Sequence, residues 1–151
     1  MSELHQALID ATDEVLSTMF FTMLDAPPES AGDAGCTRVK IEFRGHWTGA
    51  LSLCSSPEAS AEMTANFLGL DRPEEAVTQE QEAVAKELAN MICGAVLSRL
   101  KSTEVFELLS PELAESPELG EPSAPETLFA EQTFGVGAGF LRLQFRLDAR
   151  A

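Results

Sequence analysis

The chain has 151 residues, 44% of them hydrophobic, and carries 25 acidic against 10 basic side chains for a formal charge of −15. That length suits one domain, 1–151, which can bury roughly 70% of its unfolded surface without a disulfide or metal. The charge repels nucleic-acid phosphates and anionic lipid, and no apolar run reaches the roughly 20 residues of a membrane span, so nucleic acid and membrane are excluded as partners.

The N-terminal stretch MSELHQALIDATDEV is polar and acidic, without the basic-then-apolar order of a secretion signal, which predicts a cytoplasmic protein. Leu4, Leu8, Ala11, Val15, Met19 and Met23 recur in steps of three and four and predict a first helix, ended by Asp25 and Pro27-Pro28. A loop over 29–35 follows. Val39, Ile41 and Phe43 then alternate with Arg38, Lys40, Glu42 and Arg44, the period of a half-buried strand. With Gly45-His46 as the turn and 47–54 as its partner, the segment reads as a hairpin.

Ser56-Pro57-Glu58 supplies a capping hydroxyl, a proline suited to the first helical position and an acid near the helix's positive end. Ala59, Met63 and Phe67 form the buried stripe of that helix and Gly69 its stop. Thr78 and Gln81 fit a capping box for the longest helix, which runs to Leu100 on a stripe of Val84, Leu88, Met91, Ala95 and Val96. A short strand over 105–109 precedes SPELAESPELGEPSAPET, residues 110–127, whose proline, glutamate and serine predict a long loop inside the domain.

Strands over 128–134 and 141–147 close the chain. Gly135, Gly137 and Gly139 sit before a strand instead of a helix, so they read as a hairpin turn and not as a phosphate loop. Arg142, Arg146 and Arg150 line the polar face of the last strand and read as solvated. Cys36, Cys54 and Cys93 are odd in number and lack CxxC spacing, which gives reduced thiols and no zinc site. The element order predicts an α+β fold, with helices packed on a largely antiparallel sheet.

The longest helix carries the candidate site. At 100° per residue, Glu87 and Asn90 stand about 60° apart on one face, with Ala83 and Gly94 on the same side and the apolar stripe roughly 120° away. Two of the smallest side chains thus flank a carboxylate and a carboxamide and leave them open to another molecule. Gly94 costs the helix about 1 kcal/mol relative to alanine, which close packing would offset.

The segment KELANMICGAVLSRL, residues 86–100, resembles the signature helix of the CheC, CheX and FliY chemotaxis phosphatases, whose core motif is Glu, two residues, then Asn. Residues 14–20, EVLSTMF, are similar to the family's first helix. Residues 41–63 resemble its strand, glycine turn, strand and helix. The single central motif resembles CheX more than CheC, because the first helix has Glu14 but Ser17 where a second asparagine would stand.

The resemblance implies a CheC-like fold, a homodimer, and a phosphatase acting on the aspartyl phosphate of a CheY-like response-regulator receiver. Asn90 would orient the attacking water, since a carboxamide both donates and accepts without adding charge beside the phosphoryl group. Glu87 would dock on the receiver's lysine, with Ala83, Lys86 and Gly94 as further partner-binding positions. No cofactor of its own is implied, magnesium being supplied by the receiver. Two positions depart from the family: Ala83 stands where Asp or Ser is usual, and Pro111 lies one position nearer to the asparagine than the family's proline. Ala83 keeps open an alternative, a non-catalytic adaptor that binds a receiver or a flagellar switch component.

Overall fold

The computed structural model describes residues 2–29, 32, 34–100, 103–116, 119 and 127–148. Their elements are α1 (Glu3–Met19), β1 (Thr37–Gly45), β2 (Thr48–Ser55), α2 (Pro57–Leu68), α3 (Thr78–Leu100), β3 (Phe106–Leu108), β4 (Glu112–Leu113), β5 (Leu128–Val136) and β6 (Gly139–Asp148), with a 3-10 turn at Pro73–Glu75. The strands form one antiparallel sheet in the order β3-β1-β2-β6-β5, and β4 also pairs with β1. This is the expected α+β architecture.

The inward positions of the strands build the core. Val39, Ile41 and Phe43 of β1, Leu51 and Leu53 of β2, and Leu141, Leu143 and Phe145 of β6 are all buried against α1, α2 and α3. Within the helical layer α1 lies on α3, while α3 reaches β1 and β2 and α1 reaches β5. Trp47, at the turn of the first hairpin, rests half-buried on the same core.

Several boundaries differ from the sequence reading. α1 stops at Met19, before the prolines, because Phe20 turns inward and stacks on Phe67 with ring centroids 4.6 Å apart. Phe21 then takes a positive φ of 50°, and the backbone N–H groups of Phe20 and Thr22 both donate to the Leu16 carbonyl. Met23 therefore leaves the helical stripe and is 83% exposed. Asp25 instead exchanges two backbone hydrogen bonds with Gly135 of β5, each 2.8 Å.

α2 starts as its sequence dictates: the Ser56 hydroxyl accepts from the Ala59 N–H, and Gly69 takes the left-handed conformation that ends it. α3 does not use the Thr78–Gln81 box. Thr78 is already helical, the Glu80 carboxylate accepts from the Val77 N–H, and the Gln81 side chain donates to the Ala76 carbonyl. The β5–β6 hairpin turns at Gly137-Ala138, Gly137 having a φ of 55°, as the glycine triplet predicts.

The stretch read as a loop from residue 110 begins with a strand, because Glu112 and Leu113 pair with Lys40 and Val39. Farther along, Leu119 is buried, its N–H donating to Gln144 and its carbonyl accepting from Arg146. Arg142 and Arg146 are accordingly half-buried instead of solvated; Arg146 also pairs with Asp148 at 3.3 Å. Arg150 and residues 117–118 and 120–126 of the loop lie outside the described residues. The cysteines are free thiols, with Cys54 and Cys93 buried.

Candidate functional site

α3 presents two faces of opposite character. Val84, Ala85, Leu88, Ala89, Ile92, Cys93, Val96 and Leu97 are buried against the sheet and α1. Met91 and Ala95, expected in that stripe, are only half-buried and face the cleft beside α1. The buried face is thus rotated from the one the sequence suggested, and Glu87 and Asn90 lie about 170° and 130° from its centre by helical geometry. Both are exposed, as is Ala83, while Lys86 and Gly94 are half-buried. Among the described residues neither the Glu87 nor the Asn90 side chain has a hydrogen-bond partner.

The exposed face of α3 forms one wall of an open groove of about 330 Å³, to which Ala83, Lys86, Glu87 and Asn90 contribute. The other wall is the run Leu108, Leu109, Ser110 and Pro111. Leu108 ends β3 and 109–111 are irregular, so this run is free of the alternation that regular strand side chains follow. The cause is a register shift along β1. Leu108 pairs with Phe43 and Glu112 with Lys40, so three residues, 109–111, stand opposite Ile41 and Glu42. One residue is extra, which makes this a β-bulge, a device that re-aims side chains at sheet edges. The Leu109 N–H still reaches the Glu42 carbonyl at 2.9 Å, and Pro111 has no N–H to continue the ladder.

The four groove residues of α3 are those singled out from the sequence, and they come together. The facing wall was not anticipated beyond Pro111, since a one-residue bulge leaves no compositional signature. Gly94 lies on the same face but outside the groove lining. Of the two kinds of close packing that would offset its cost, against an internal helix or against a partner, the chain does not supply the first, because a Cβ built at Gly94 would meet only Leu108 Cδ2, at 3.9 Å.

The comparable face of α1 is occupied differently. Glu14 is ion-paired with Arg99 of α3, and the Ser17 hydroxyl donates back to the Glu14 carbonyl at 3.2 Å. Both side chains are engaged within the chain, unlike Glu87 and Asn90.

Chemically, the groove offers an acceptor carboxylate, a carboxamide that donates and accepts, an ammonium and one hydroxyl. No nucleophile with an adjacent base stands there. Cys93, on the buried side of α3, has its thiol pushed up to about 12 by burial, which removes it as a thiolate nucleophile. Among the described residues no group of three or more His, Cys, Asp or Glu side chains could hold a metal ion. The arrangement suits binding and orienting a group brought by another molecule. No described helix is long and apolar enough to cross a membrane.

Comparison with known proteins places the fold and the family. No curated protein matches the sequence. Among solved structures, the chemotaxis protein CheX from Desulfovibrio desulfuricans superimposes with a TM-score of 0.73 at 19% identity, covering 97% of this chain and 100% of that one. CheX from Vibrio vulnificus gives 0.74 at 20% identity, with 97% of both chains covered. A chain of the CheX–CheY–BeF3–Mg2+ complex from Borrelia burgdorferi gives 0.66 at 15% identity, covering 95% of this chain and 96% of that one. At such identities these likenesses establish the fold. The family model for the chemotaxis phosphatase CheX matches residues 38–123, which include α3, the bulge and the whole groove, and the chain belongs to the CheX family.

Proposed function

We propose that the chain acts, as one domain, to remove phosphate from the aspartyl phosphate of a CheY-like receiver, with Asn90 orienting the attacking water and Glu87 pairing with the receiver's active-site lysine. The observation that carries this reading is the outward, unpartnered placement of both side chains on one bare helix face. The family membership and a relative solved in complex with CheY support the receiver as partner.

An acyl phosphate is already reactive, and phosphoryl transfer needs positioning and charge stabilisation more than covalent help. The receiver contributes magnesium and a lysine. Asn90 accepts a hydrogen bond from a water and holds it in line with the phosphorus. The water's oxygen bonds to phosphorus as the bond to the aspartyl oxygen breaks, which releases inorganic phosphate and restores the carboxylate. Glu87, one turn away, fixes the register of α3 over the receiver. Ala83 and Gly94 let the receiver approach the helix backbone, and Lys86 adds a positive edge in a strongly acidic protein.

A second copy of the chain adding along β5, where Leu128 and Phe129 are 54% and 49% exposed, fits the homodimer expected of the family. The adaptor reading rests on Ala83, whose methyl group faces the groove where the family carries a polar side chain.

The deciding experiment follows phosphate loss from a magnesium-bound receiver with the wild-type chain and with Asn90→Ala. Acceleration by the wild type, lost in the variant while binding survives, establishes the reading. Binding without acceleration establishes the adaptor.

A further inference from the structure

We propose that Ser110 is a substrate-binding residue of this site, its hydroxyl donating a hydrogen bond to a phosphoryl oxygen of the docked receiver; the inference rests on the phosphatase reading. The bulge carries it. β3 ends at Leu108 and β4 begins at Glu112, so the run 109–111, one residue longer than the stretch of β1 it spans, leaves the regular ladder, and Leu108, Leu109, Ser110 and Pro111 all line the groove. Of these four side chains, Ser110 alone is polar.

Two of the wall's backbone positions offer no donor to the groove. The Leu109 N–H is used on Glu42, and Pro111 has none. A phosphoryl group entering the groove needs donors on each side. Lys86 and Asn90 supply them from α3, whereas Glu87 can only accept. The Ser110 hydroxyl is the side-chain donor available from the opposite side. It is exposed, and no described residue takes it as a hydrogen-bond partner. Ala83 on the helix side leaves the space in the groove open.

The test measures kcat and KM for phosphate loss from the phosphorylated receiver, and affinity for the unphosphorylated receiver, with wild type, Ser110→Ala, Ser110→Thr and Asn90→Ala. The expected result is a kcat about tenfold lower in Ser110→Ala, the scale of one net hydrogen bond, with restoration in Ser110→Thr. Affinity for the unphosphorylated receiver stays at the wild-type value in both Ser110 variants. A wild-type kcat in Ser110→Ala, with Asn90→Ala inactive, overturns the role of Ser110 and leaves the phosphatase reading intact. A loss that Ser110→Thr does not restore, or one that extends to the unphosphorylated receiver, assigns Ser110 to the architecture of the wall and overturns it as well. If the wild type gives no acceleration, both readings fall together.

Discussion

Glu14 on α1 and Glu87 on α3 both stand on exposed helix faces, each with a polar residue three positions on, Ser17 and Asn90. Their surroundings separate them. Glu14 is held by Arg99 and Ser17 bends back onto its own helix, whereas Glu87 and Asn90 point away from the protein beside an open groove. A carboxylate that satisfies a neighbour stabilises the fold; one left without a neighbour is available to a partner. The groove beside Glu87 is walled by α3 and residues 108–111, whereas Glu14 borders a cleft of about 460 Å³ between α1 and α3 whose lining includes Met19, Met91, Ala95 and the Arg99 that holds Glu14.

The largest effect that would sharpen this contrast is the loss of Asn90. Asn90→Ala should slow receiver dephosphorylation by about a hundredfold or more, on the scale of removing one preorganised polar contact at a reacting centre, with receiver binding retained in a titration. Glu87→Gln comes next. It keeps the shape and removes the charge, so receiver affinity should fall by about tenfold while the rate at saturating receiver changes less.

Gly94→Ala should move two measurements in opposite directions. The chain alone gains about 0.5–1 kcal/mol in denaturant unfolding, because helix propensity improves and the new methyl has room beside Leu108. Receiver binding weakens, because the methyl intrudes on the docking face. Unchanged affinity would remove Gly94 from that face. The smallest effect is expected on α1. Ser17→Asn, which restores the family's residue pair there, should leave the dephosphorylation rate unchanged while Arg99 holds Glu14. A faster rate in Ser17→Asn would break the comparison outright. Combining it with Arg99→Ala frees the carboxylate at a stability cost below about 1 kcal/mol, since the pair is exposed.

Much of this was legible in the sequence for identifiable physical reasons. The strands read from alternation at β1 and β6, the Ser56-Pro57 start and Gly69 stop of α2, and the Gly137 turn are local signals, and each element reappears where it was read, although β6 is covered on both faces. The helix face with Glu87, Asn90 and Ala83 follows from helical geometry alone. What was hidden depends on distant partners. The end of α1 is set by Phe20 meeting Phe67, 47 positions later. The buried side of α3 was misjudged because apolar residues occur around more than half of this helix, Met91 and Ala95 as well as Ile92 and Leu97, so periodicity alone does not select the face that the sheet and α1 cover. The covering of Arg146 depends on Leu119, in a stretch whose composition resembles a loop. The groove's second wall depends on pairing register, which composition does not encode.

That register has a consequence for how this molecule tolerates insertion and deletion. Side chains along a strand repeat every two residues, so the facing of 109–111 is a matter of odd and even. Deleting one of these three residues would leave two opposite Ile41 and Glu42 and make the edge continuous from Phe106 to Leu113. Pairing would improve, and one member of the wall would swing to the far side of the sheet. A single-codon deletion that makes the strand more regular would dismantle half of the groove, while leaving every residue of α3 untouched.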